Sequence, residues 1–157
     1  MKLVTTTFAL AISTISLASP SEWVFKGLGE YRNAAGESSH YSSTVNKSKT
    51  DENTCTVVKT IFTEDGETMT WSKKLIKNEL GLIEVQNLEG DVIGSGYYFK
   101  DHTKKMMHID FQTPEGSVEK TIVADLDGYK EIGSMTEAAT QERSTWREKG
   151  ERVFPLQ

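Results

Sequence analysis

Few residues in this sequence have the types and spacings that carry chemistry. Histidine occurs three times, as His40, His102 and His108. None falls in an HxH or HExxH spacing, so no metal ligand set is formed and no metal is expected. Met106-Met107-His108 contains groups that ligate haem iron, but only if that side of its strand turns inward. Neighbouring methionines more often fill core and surface, so no cofactor is expected. Carboxylates pair at Glu64-Asp65 and at Asp125 and Asp127, within polar breaks where turns collect acids for conformational reasons. Asp125-Leu126-Asp127-Gly128 lacks the later acidic ligands of a calcium loop. With no GxSxG, no cysteine and histidine in register and no phosphate-cradling glycine loop, catalysis has little support, and enzymatic activity stays undecided with the balance against it. Cys55 is the only cysteine. It lies in the β-branched run 54–58 and reads as a buried small apolar residue, and an internal disulfide is excluded.

Apolar contact is the chemistry that the sequence does favour. Trp71, Ile93, Tyr97, Phe99, Met107, Ile109, Phe111 and Ile122 recur at strand spacing, with Ser95 or Lys120 as an inward polar anchor. Such a set either lines a cavity for a small, largely apolar molecule or fills the core.

The stretch 91–132 shows what must position these residues. Three apolar-rich runs (91–99, 105–113 and 117–126) and the start of a fourth at Tyr129 are joined by short polar breaks, the pattern of consecutive hairpins. Asp127-Gly128 predicts a type I′ turn. Ile93, Tyr97 and Phe99 share parity with Ser95, while Gly94 and Gly96 share the opposite face and predict a curved strand. Met107, Ile109 and Phe111 alternate with Met106, His108 and Asp110. Lys120 interrupts the apolar face of Val118, Ile122 and Ala124. Upstream, runs at 23–31, 40–45, 54–63, 68–75 and 80–85 read as further strands, and Lys73 interrupts the face of Met69, Trp71 and Leu75. The final element, 142–149, has the composition of a helix but reads as a strand, because a closed sheet needs a last strand to pair with its first. The expected fold is all-β, an antiparallel up-and-down β-barrel of about ten strands, with a sandwich as the alternative.

Segment 1–18 reads as a secretory signal peptide: Lys2, an apolar and hydroxyl-rich core, then small residues before Ser19-Pro20. It is too short and polar to span a bilayer, so no membrane insertion is expected. The domain is then 19–157, in a periplasmic or secreted setting. The full chain of 157 residues carries a net charge of −5, and without Lys2 about −6. No basic stripe is present, which argues against a nucleic-acid partner.

The glycine-then-aromatic run Phe25-Lys26-Gly27-Leu28-Gly29-Glu30-Tyr31 resembles the first strand of a lipocalin, and Thr145-Trp146-Arg147 resembles the arginine-bearing last strand. The chain thus resembles the calycins, in particular small bacterial lipocalin-like exported proteins of unknown function. Tyr31 stands where tryptophan is usual. The resemblance implies that Tyr31 and Arg147 close one barrel end as a cation–π pair. It also implies a small-ligand-binding barrel, whose partner is a small apolar molecule. A non-catalytic interaction module docking an envelope protein is the alternative. A barrel enzyme (isomerase or hydrolase) or a haem binder comes third.

Overall fold

The computed structural model describes residues 22–153. The proposed signal peptide lies outside the described residues. Ten strands follow in order: β1 Glu22–Arg32, β2 Ser38–Lys49, β3 Thr54–Thr63, β4 Thr68–Lys77, β5 Leu82–Gln86, β6 Val92–Lys100, β7 Lys105–Gln112, β8 Gly116–Ala124, β9 Gly128–Glu137 and β10 Arg143–Val153. Each pairs antiparallel with its sequence neighbours, and β1 pairs with β10, which closes the barrel. The element left open between helix and strand is a strand, β10, held in register from Val24–Val153 to Arg32–Thr145.

Two local devices make six of the nine hairpins. In the first, residues of the pattern Asn-x-x-Gly turn the chain: Gly36, Gly81 and Gly90 sit at positive φ, and their amides donate to the carbonyls of Asn33, Asn78 and Asn87. The Asn side chains in turn accept the amides of Glu37, Leu82 and Asp91. Glycine is needed there because the left-handed conformation costs other residues their Cβ clearance. In the second device an aspartate accepts two backbone amides just ahead of it, as Asp51, Asp101 and Asp125 do. The turn carboxylates thus serve conformation. This device corrects the expectation at Asp127-Gly128. Neither residue has positive φ, so the turn is not type I′. Asp125 supplies the closure instead, by accepting from both amides.

Side chains alternate in and out along the strands, with an interruption in β6. Ile61, Leu75, Ile83, Val85, Ile109, Phe111, Val118 and Trp146 fill the interior. The outer wall carries Lys26, Glu30, Lys130, Arg147 and Lys149.

Large interior rings lie flat on the wall where the neighbouring strand has glycine. A Cβ on Gly133 would fall 2.2 Å from the Trp146 ring, and one on Gly29 or Gly150 would meet the ring of Tyr41 or Tyr129 at 2.1 Å. Gly133→Ala should therefore destabilise the fold by about 1–3 kcal/mol, the usual scale for forced overpacking. Denaturant unfolding checks this. Unchanged stability would show that the Trp146 ring shifts freely.

Candidate functional site

The interior is not uniformly apolar. Midway along the barrel, four strands each send a charged side chain inward: Lys59 from β3, Lys120 from β8, Glu131 from β9 and Glu148 from β10, all buried. Lys59 Nζ donates to Glu131 Oε1 at 2.9 Å. It also lies 2.8 Å from Glu148 Oε2, a charge contact short of an aligned hydrogen bond. Lys120 Nζ donates to Glu131 Oε2 at 3.1 Å. Trp146 Nε1 donates to Glu131 Oε1 at 2.8 Å. Glu148 Oε1 accepts from Ser43 Oγ at 2.9 Å and from the Tyr129 hydroxyl. Each carboxylate is therefore met by both a cation and neutral donors, the arrangement that makes buried charge tolerable.

Protonation follows from this geometry. Burial works against the charge of Glu131, but Lys120, Lys59 and the hydrogen bonds of Lys59 and Trp146 outweigh it and hold the carboxyl down at about 2. Burial likewise opposes the charge of Lys59, yet Glu131 and Glu148 keep its pKa above the ordinary lysine value. Tyr41 and Tyr129 are pushed up by burial and by the charge of Glu148, so both remain phenols. The carboxyl of Glu131 sits near 2 in the fold and near 4.5 in the unfolded chain. Its contribution to stability is present above pH 4.5 and is lost as pH falls from 4.5 towards 2. A thermal melt series over that range should show a decline that Glu131→Gln reduces.

A fifth interior charge differs from these four. Lys73, on β4, has its Nζ 3.6 Å from the centroid of the Phe111 ring and 5.2 Å from that of Trp71. Burial and the charge of Lys120 lower its pKa to about 7, against a weaker opposite pull from Glu131. Beside it lies a cavity of about 40 Å³, lined by Val57, Lys59, Trp71, Lys73, Leu75, Met107, Ile109, Lys120 and Ile122. Val57, Met107 and Ile122 are only half-buried. They lie on the side where β2–β3, β4–β5, β6–β7 and β8–β9 turn, so the lining is less enclosed at that end.

Of the residues expected to contact a ligand, Trp71, Met107, Ile109, Lys120 and Ile122 line this cavity. Phe111 and Ile93 pack in the same interior. Ser95, Tyr97 and Phe99 do not join them. They face outward, with Tyr97 47 % and Phe99 59 % exposed. The cause is a bulge. Gly94 pairs with Val85 while Val92 pairs with Gln86, which leaves Ile93 as an extra residue. One extra residue reverses the in–out parity of everything beyond it. Gly94, Gly96 and Tyr98 consequently occupy the inner face. The two glycines are required by close approach, since a Cβ on either would fall 2.0 Å from a carbonyl oxygen of β7.

The Tyr31–Arg147 closure is also corrected. Arg147 points outward with its side chain 77 % exposed, and its Nε donates to Glu30 Oε2 at 2.9 Å. Tyr31, 38 % exposed, instead pairs in register with Trp146. Arg147 is one residue out of phase with the interior, which Trp146 and Glu148 reach from β10.

Met106 and His108 lie on the outer face, so the 106–108 run offers the interior only Met107. The His108 ring stacks on Tyr97 at 5.1 Å, and its Nδ1 is 2.9 Å from Thr121 Oγ1. Ligand atoms of His108, Asp110 and Glu119 come within 4.8 Å of one another on that face. Arg143 also approaches Glu119, at 3.7 Å. Cys55 is a free, half-buried thiol whose pKa is raised by burial.

Lys59, Lys73, Glu131 and Glu148 are the charged interior residues that the sequence alone did not assign to the site. Lys73 and Lys120 shared one visible signal, a lysine interrupting an otherwise apolar strand face. Glu131 had none, because Ile132 beside it is the more apolar residue and yet faces solvent.

No protein-family description and no curated protein matches this sequence. Among solved structures, the chain is similar to the S-type phycobiliprotein lyase CPES from Guillardia theta, at 12% identity and TM-score 0.66, over 85% of this chain and 88% of that one. It is also similar to Rv2717c from M. tuberculosis, at 11% identity and TM-score 0.55, over 86% of this chain and 92% of that one. At such identities the likeness is one of fold, that of a closed antiparallel barrel.

Proposed function

We propose that the protein is an exported carrier that holds a small, largely apolar molecule inside the barrel without chemically changing it. The observation that carries this reading is the cavity beside Lys73, walled by Val57, Trp71, Leu75, Met107, Ile109 and Ile122 within a closed barrel. Aliphatic and aromatic walls supply dispersion and buried area, while a few polar groups set orientation. The test is native mass spectrometry of protein purified from its own compartment, compared with its denatured mass. A reproducible adduct lost on denaturation is the expected result, and a bare mass would count against the carrier reading. The mass of the chain also tests export, since residues 19–157 alone should remain.

A second reading, docking of an envelope protein, is favoured by a different observation. Leu80, Leu82, Tyr97 and Phe99 are exposed on and beside the outer faces of β5 and β6. A contiguous exposed apolar surface is unusual on a solitary soluble domain. Bare protein in the native spectrum, together with co-purification of a second chain, would favour this reading.

A further inference from the structure

We propose that the molecule held in the barrel carries one anionic group and that the ammonium of Lys73 receives it. This rests on the interior being a ligand site and names the ligand's class: a mostly apolar monoanion.

The argument begins with the charge balance. Lys59, Lys73 and Lys120 supply three cations to the interior, and Glu131 and Glu148 supply two anions. Lys59 and Lys120 are already committed, Lys59 to both carboxylates and Lys120 to Glu131. None of the described residues places a carboxylate within ion-pair distance of Lys73. The faces of Phe111 and Trp71 are what its ammonium has instead. An ammonium offers three donors, and ring faces satisfy its charge only in part. A bound carboxylate, sulfonate or similar group would complete the balance.

Space and surroundings agree. The cavity touches Lys59, Lys73 and Lys120 together, and its remaining lining is apolar. At about 40 Å³ it exceeds the roughly 10–15 Å³ that one water needs, and so admits a group of a few heavy atoms. The groups facing Lys73 are Lys59 from β3, Lys120 from β8 and Glu131 from β9, with Glu148 from β10 behind Lys59. Tyr41 and Tyr129 bring neutral phenols to Glu148 and add no charge. With Lys59 and Lys120 balanced by Glu131 and Glu148, the protonated ammonium of Lys73 is the excess interior charge, and its field attracts an anion.

Proton linkage gives a second consequence. Unliganded Lys73 titrates near 7, and a bound anion favours its protonated form. Binding therefore takes up a proton above pH 7, and affinity for an anion falls as pH rises from there.

The experiment is isothermal titration calorimetry with two probes of one shape, 2-naphthoate and 2-naphthalenemethanol, on the wild type and on Lys73→Met. At pH 6.5 the wild type should bind the carboxylate at least roughly tenfold more tightly than the alcohol, the scale of one charge-assisted hydrogen bond. K73M, its fold checked by circular dichroism, should lose the preference and bind the two probes alike. Between pH 6 and 9 the wild-type preference should shrink, a readout that needs no variant. Equal binding of the two probes by the wild type, or a preference that survives in K73M, overturns the inference and leaves the carrier reading standing. Failure of both probes to bind overturns the two together.

Discussion

Lys59→Met should lower the melting temperature by roughly 10–20 °C, the equivalent of about 3–5 kcal/mol in a domain of this size. Methionine keeps most of the volume of the lysine stem, so a cavity is not the cause. The cause is that Lys59 is the cation shared by Glu131 and Glu148. Without it Glu148, whose side chain is fully buried, keeps only neutral hydroxyls, those of Ser43, Tyr129 and Tyr41, while Glu131 keeps Lys120 and Trp146. An uncompensated buried carboxylate is among the costliest defects a core can carry. The double variant K59M/E148Q removes one cation and one anion together, leaves the Lys120–Glu131 pair in place and should recover much of the loss. Were K59M alone to melt like the wild type, Lys59 would not be the cation that makes the two buried carboxylates tolerable, and the interior charge balance would be wrong.

The second large effect is expected at Trp146. Trp146→Ala should cost about 3–5 kcal/mol, because it removes a large buried ring and leaves a cavity over the flat wall at Gly133. Trp146→Phe separates two contributions. It retains most of the ring volume but deletes the N–H that donates to Glu131. A loss of about 1–3 kcal/mol is expected from that group alone. Chemical denaturation of the three proteins resolves the difference. If W146F matched the wild type, the donor would be dispensable and the two lysines would suffice to hold Glu131.

The residues explain why some of this was legible and some was not. Strand rhythm was legible because glycine, asparagine and aspartate punctuate it for physical reasons, positive φ at Gly36, Gly81 and Gly90 and amide capture at Asp51, Asp101 and Asp125. Parity was legible wherever a strand ran uninterrupted, as along Met107, Ile109 and Phe111. It failed in β6 because a bulge at Ile93 has no local signature beyond the neighbouring glycines. Parity arithmetic carried across it puts Tyr97 and Phe99 on the wrong face. The charged layer was hidden for another reason. A buried glutamate looks in sequence like a surface one until its partner is known, and those partners lie far away: Lys59 is 72 residues from Glu131. Sequence spacing reports which face a residue takes on its own strand, not what meets it across a closed barrel.

The seam between β1 and β10 has a consequence for how the molecule is made. Every other ladder joins strands adjacent in sequence and can zip as the chain leaves the ribosome. The seam joins residues as distant as Val24 and Val153, so it forms only once the final strand has emerged. That strand also delivers Glu148, the anion that gives Lys59 its second carboxylate. Before its arrival the nascent sheet has two raw edges and an interior with a surplus of positive charge, and both discourage premature compaction. Completion of synthesis therefore supplies hydrogen bonding and electroneutrality in one step. A chain terminated before Arg143 would have neither, and would expose an edge ready to pair with its own copies.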